Sequence, residues 1–209
     1  MNKVFSISKK SSLSIAGLIV LILCAFIFLF NQNNQESSKI SSDFNIFFTC
    51  DIDGRLEPCG CFSGQMGGLT KIKTMINGAN ASNPLIFDVG DSIAGQEDYH
   101  VIQHRYLMQA FQSIHYDALN IGHREALLPF ASLNKLKQDS KEKSLPILSA
   151  NLRTKSDQKP IFEPYIIINK DSKKIGVVGL VSPNIGGATL DDNILIQEPR
   201  LALSQFISE

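Results

Sequence analysis

Three short polar stretches carry most of the residues able to do chemistry. Asp51 and Asp53 stand two apart, Asp91 follows Gly90, and His123, Arg124 and Glu125 follow Gly122. Carboxylates and imidazoles gathered at several loops suit a divalent or transition-metal centre. Two metals about 3.5–4 Å apart, sharing a bridging carboxylate, would activate water for attack on a phosphoester. Asp51 and Asp53 would share a face of an extended strand, and at a strand end they can converge. Any one of these aspartates is equally at home in a turn, so ordinary loop capping is the plain alternative. The set Asp51, Asp53, Asp91 and His123 taken together is what points to metal.

Cysteine offers a second chemistry. Cys59-Gly60-Cys61 lies in a glycine-rich stretch and suits either a soft metal or a thiol–disulfide cycle; a plain structural disulfide is the alternative. One Cys-x-Cys is short of the four ligands that structural zinc takes. Of the four cysteines, Cys24 sits in an apolar run and reads as packing. Cys50, Cys59 and Cys61 are an odd number, so one thiol is left unpaired within the chain or joined to something else. His100 and His104 stand at i and i+4 on one helix face, and without a third ligand nearby they read as a solvent-facing pair.

The elements that must hold these residues alternate. Asn45–Cys50, Pro84–Val89, Ala118–Ile121 and Leu145–Ala150 read as buried strands. Leu69–Ile76, Tyr99–Ile114 and Phe130–Gln138 have helical spacing of apolar residues. Tyr165–Asn169 and Lys174–Leu180 read as a hairpin, and Leu201–Ile207 begins a helix. Strand–helix alternation indicates an α/β domain. Three strands run into Asp51/Asp53, Asp91 and His123/Glu125, and α/β folds place their sites at the carboxyl ends of strands.

Five motifs follow one another along the chain: Asp51-Ile52-Asp53-Gly54-Arg55-Leu56-Glu57-Pro58, Gly67-Gly68-Leu69, Asp88-Val89-Gly90-Asp91-Ser92, Gly122-His123-Arg124-Glu125 and Leu148-Ser149-Ala150-Asn151-Leu152. In that order and spacing, residues 44–209 resemble the 5′-nucleotidase branch of the calcineurin-like metallophosphoesterases. The Cys59-Gly60-Cys61 insert resembles a subgroup of 5′-nucleotidase-like (seleno)proteins. The resemblance implies the first half of a metallophosphoesterase sandwich, two divalent metal ions and a phosphoester or nucleotide substrate. It implies Asp51 as a metal ligand and Asp91 as the bridging one. Asp53 stands where the family has histidine, and would ligate as a harder, anionic group. His123 stands at the family's metal-binding asparagine. Arg124 stands at its catalytic histidine; a guanidinium is no proton donor at neutral pH, but it can hold a phosphate oxygen bidentately. Glu125 matches the motif's last acid.

After Arg124 the sequence has no histidine. The resemblance implies a second half, with further metal-binding histidines, that these 209 residues do not include. The expectation is therefore a half-domain in which two-metal hydrolysis is impaired. The alternative is a non-hydrolytic thiol-redox or metal-binding module using Cys59 and Cys61 on the same fold.

Charge and hydropathy divide the chain further. Lys+Arg equals Asp+Glu at 20 each, which argues against a nucleic-acid binder working through a basic surface. Lys3, Lys9 and Lys10 account for all the charge of residues 1–30, leaving 17 basic against 20 acidic residues in the remainder. Leu13–Phe30 is 18 residues without a charge. As a helix it reaches about 27 Å, close to the hydrocarbon thickness of a bilayer. It is long for a signal h-region and is followed by no small-x-small cleavage site. The organisation expected is a basic cytoplasmic segment at 1–12, a transmembrane signal-anchor at 13–30, a polar tether at 31–43 and the domain at 44–209. The lysines stay cytoplasmic and the body lies outside. N-terminal sequencing of the membrane fraction is expected to return the original start; a mature chain beginning after Phe30 would remove the anchor.

Overall fold

Short apolar runs rich in β-branched and aromatic residues, each stopped by a polar turn, form the centre of the domain. The computed structural model describes residues 45–58, 60, 67–79 and 81–207, all within one unit, Phe44–Glu209. The expected anchor at Leu13–Phe30, and Cys59 and Cys61, lie outside the described residues. Among the described residues no helix is long and apolar enough to cross a membrane.

Strands β1 (Ile46–Thr49), β2 (Leu85–Asp88), β3 (Ala118–Asn120) and β4 (Ile147–Leu148) build one sheet in the order β1-β2-β3-β4. Every pairing is parallel: Ile46 faces Leu85, Phe87 faces Ala118 and Leu119 faces Ile147. Parallel neighbours require crossovers. These contain α1 (Leu69–Gly78), α2 (Asp98–Ile114) and, after the single turn α3 (His123–Ala126), α4 (Phe130–Lys143). Strands in direct order with right-handed crossovers send the helices to one face of the sheet.

The pleat sorts the strand residues between two faces. Ile86, Leu119 and Ile147 pack with Leu69 of α1, with Leu107, Met108 and Phe111 of α2, and with Leu133 and Leu136 of α4. The alternate residues Leu85, Phe87, Ala118 and Leu148 face the other way. Beyond the sheet, β5 (Leu152–Thr154) precedes β6 (Tyr165–Lys170) and β7 (Lys173–Val178), which pair as an antiparallel hairpin. Ile166, Ile168, Ile175 and Val177 of this hairpin cover the second face. The cover falls short of β1, where Phe48 stays 64% exposed. β5 also pairs antiparallel with β8 (Ile194–Ile196), and α5 (Pro199–Ile207) follows.

The strand and helix positions follow the sequence periodicity closely. The helix expected to end at Gln138 runs on to Lys143, because its polar last turn continues to a left-handed cap at Ser144. The β5–β8 pair was not legible, since three residues are too few to show a period. His100 and His104 are not a solvent-facing pair. His104 is 2% exposed, and His100 lies against Glu97 with its Nδ1 2.7 Å from the carboxylate. Val101, His104, Met108 and Phe111 share the buried stripe of α2, a spacing that places His104 inside.

The two faces should differ sharply in their response to truncation. Phe111→Ala removes a fully buried ring and is expected to lower unfolding free energy by about 3–5 kcal/mol. Phe48→Ala is expected to change it by less than about 1 kcal/mol, since that ring is mostly in water. Urea unfolding monitored by far-ultraviolet circular dichroism measures both.

Candidate functional site

The loops after β1, β2 and β3 meet on one rim. The β1 and β2 loops are laced by the backbone: the Asp51 amide donates to Gly90 O, Asp53 to Asp91 O and Gly54 to Ser92 O, at 3.2, 3.3 and 2.8 Å. The β2 and β3 loops touch through glycine. A Cβ on Gly122 would lie 2.3 Å from the Asp91 amide nitrogen, and one on Gly90, at φ 114°, would lie 2.5 Å from Gly122. Only glycine allows that approach.

Glu125 fixes this junction. It is 2% exposed. Its Oε2 accepts from the Asp91 amide at 2.9 Å and the Gly122 amide at 3.0 Å. Its Oε1 accepts from the Ile93 amide at 2.8 Å and from the Ser92 hydroxyl at 3.1 Å. The reach back to Gly122 is the glutamate half of a capping box at the start of α3. Burial pushes the Glu125 carboxyl up, against the pull of the Ile93 and Asp91 amides. Ser92 Oγ also lies 3.0 Å from His104 Nε2. With Glu125 ionised, Ser92 donates to it and accepts from His104. Burial holds His104 down at about 4, so the ring is neutral near pH 7.

The other named residues lie further out. Asp51, Asp53 and Asp91 all have left-handed backbones, at φ 51°, 58° and 59°. Asp51 is exposed; Asp53, Asp91, His123 and Arg124 are half-buried. Arg124 pairs through Nη1 with Asp53 Oδ1, and Arg55 Nη2 lies 3.4 Å from Asp53 Oδ2. Both oxygens of Asp53 therefore face guanidinium groups. The Arg124 amide donates to Asp91 Oδ1 at 2.8 Å. Cys50 is exposed, and partial burial with the neighbouring Asp51 carboxylate pushes its thiol up, away from the reactive thiolate.

Sequence reasoning named Asp88 within a motif and gave it no role. It closes the apolar strand β2, is 1% exposed, and accepts from Thr49 Oγ1 at 2.6 Å and the Gly90 amide at 3.0 Å. Burial pushes it up to about 7. Tyr116 OH lies 3.1 Å from Thr49 Oγ1, and burial pushes that phenol up to about 12. An acid ending an otherwise apolar run was the available signal.

No protein-family model matches the chain. It is 32% identical over 153 residues to the snake venom 5′-nucleotidase of Gloydius brevicauda, covering 66% of this chain and 25% of that protein. It is 28% identical over 211 aligned residues to a 5′-nucleotidase of Vibrio cholerae, covering 96% of this chain and 36% of that one. The chain is homologous to 5′-nucleotidases. The parallel-sheet fold agrees: the 5′-nucleotidase precursor of Thermus thermophilus superposes with a TM-score of 0.61 at 23% identity, over 79% of this chain and 34% of that one. This 5′-nucleotidase homologue thus spans only a quarter to about a third of the length of the relatives compared.

Divalent metals implied for such a homologue find no ready site in this part of it. Among the described residues no three His, Cys, Asp or Glu side chains converge to hold a metal ion. Asp53 is engaged by two guanidinium groups, and one oxygen of Asp91 by a backbone amide. The described donor set does not fit a two-metal centre.

Two buried groups of the homologue oppose each other in pH. Asp88 is raised, so the folded state binds its proton more tightly and stability falls as pH rises from about 4 to about 7. His104 is lowered, so the unfolded state binds the proton more tightly and stability rises from about pH 4 to 6.5. Urea midpoints at pH 4.5, 5.5 and 6.5 should separate them. Asp88→Asn is expected to steepen the rise in stability with pH, and His104→Gln to flatten or reverse it.

Proposed function

We propose that this domain acts on phosphoesters of the nucleotide class, as a 5′-nucleotidase-type protein whose body lies outside the cytoplasm. The observation that carries the reading is the rim itself. Asp51, Asp53 and Asp91 on loops, and His123 and Arg124 on the turn α3, stand at the carboxyl ends of three adjacent parallel strands, in a chain homologous to 5′-nucleotidases. That is where α/β folds take their ligands.

Within the rim the residues divide by role. Arg124 and Arg55 present the fixed positive charge. Each guanidinium carries five N–H donors, and their side chains are 40% and 55% exposed beside Asp53. Donors beyond those turned to Asp53 suit a phosphate dianion. Glu125 acts from behind as a positioning residue: its buried oxygens set Asp91 and Gly122, and it has no surface with which to meet a substrate. His123, half-buried at the head of α3, brings to the rim an imidazole, a group able to ligate a divalent metal. Hydrolysis by metal-activated water is the expectation from kinship; the described residues supply binding and charge placement, and the water-activating centre is not among them. Membrane tethering through Leu13–Phe30 completes the reading, with Lys3, Lys9 and Lys10 on the cytoplasmic side.

Phosphate release from nucleoside 5′-monophosphates, together with calorimetric binding of the same nucleotides, tests the proposal. Arg124→Ala is expected to weaken nucleotide binding or raise KM by about tenfold or more, the loss of a charge-assisted hydrogen bond to phosphate. Absence of both nucleotide binding and phosphate release in the wild-type chain would sink it.

A further inference from the structure

The geometry points to Arg124 as the resident cation of the rim: its guanidinium takes the carboxylate that a metal ion would need, so the ion pair with Asp53 and cation binding at Asp53 exclude each other. Arg124 lies next to His123 on the turn α3, and α3 is fixed by Glu125, so the guanidinium is carried on an anchored element. It pairs with Oδ1 of Asp53 while Arg55 lies against Oδ2, which leaves the Asp53 carboxylate bracketed on both sides. The same residue's backbone amide donates to Asp91 Oδ1. Arg124 thus draws on two of the three rim aspartates at once, through its side chain and its main chain.

Charge counting leads to the same place. Asp51, Asp53 and Asp91 bring three carboxylates to the rim, with Glu125 buried behind them, and Arg55 and Arg124 bring two guanidinium groups. An incoming dication would have to displace a guanidinium from Asp53 and then sit beside it. A guanidinium does not give up its proton, so the site cannot relieve that repulsion by titration. Like-charge repulsion at such range in a half-buried setting is strong. A neutral residue at position 124 would leave Oδ1 of Asp53 without its guanidinium partner. The inference does not depend on the protein's being a nucleotidase, because it concerns cation affinity in the absence of any nucleotide.

Manganese binding to the 209-residue chain, followed by isothermal titration calorimetry and by the electron paramagnetic resonance of unbound Mn²⁺, tests it. Arg124→Asn is expected to bind Mn²⁺ at least about tenfold more tightly than wild type. Arg124→Lys keeps the charge and should leave the affinity at the wild-type level. Adding Asp53→Asn to Arg124→Asn should abolish the gain. The single variant Asp53→Asn, on a half-buried loop residue, should leave wild-type Mn²⁺ affinity unchanged, because that carboxylate is already taken. An Arg124→Asn affinity within twofold of wild type overturns the inference. A clear loss of Mn²⁺ affinity in Asp53→Asn alone also overturns it, and does so even if the arginine variants fail to fold.

Discussion

One buried carboxylate organises the rim. Glu125 takes the amides of Asp91, Ile93 and Gly122 and the hydroxyl of Ser92, so the loops after two neighbouring strands are tied to a single side chain. Placing a carboxylate in the interior is costly unless each of its lone pairs is met. Here four donors meet it, and three are main-chain groups that would otherwise be left unpaired at a helix start and a strand end. The glycine contact between Gly90 and Gly122 then becomes possible, and with it the position of Asp91. The β1 loop joins through its backbone bonds to Gly90, Asp91 and Ser92. Asp91 is held directly by this arrangement, and Asp53 and Arg124 at one remove through Asp91.

The domain's framework was largely legible because its signals are periodic. Apolar runs such as Leu85–Phe87 stop at acids and glycines, and helical stripes such as Val101–Met108–Phe111 are long enough to count. What could not be read were features with no period. β5 and β8 are three residues each, and only their pairing across some forty residues gives them structure. Asp88 and Ser92 were visible only as members of a motif and His104 only as half of an i, i+4 pair; their roles come from contacts between distant elements. The rim residues themselves were visible, since Asp51, Asp53, Asp91 and the His123-Arg124-Glu125 run all sit where strands end. Their mutual arrangement was not. That Arg124 would turn onto Asp53, seventy-one positions away, is a tertiary fact.

The rim's electrostatics set this chain apart from a simple acidic pocket. Three aspartates close together would repel one another and attract cations. Two arginines answer that repulsion from within the fold. Such internal compensation offsets repulsion within the loop cluster whatever binds there.

The left-handed backbones at positions 51, 53 and 91 constrain what descent can do to this surface. Asparagine, aspartate and glycine enter that region of φ/ψ space with little strain, and branched or bulky side chains do not. A lineage drifting away from catalysis would therefore still tend to retain aspartate, or exchange it for asparagine or glycine, at these three places. Persistence of the acids among relatives would be testimony about the shape of the chain before it was testimony about its chemistry. Position 124, which belongs to a helical turn and bears no such restriction, is where selection for a particular ligand has the freedom to leave its mark.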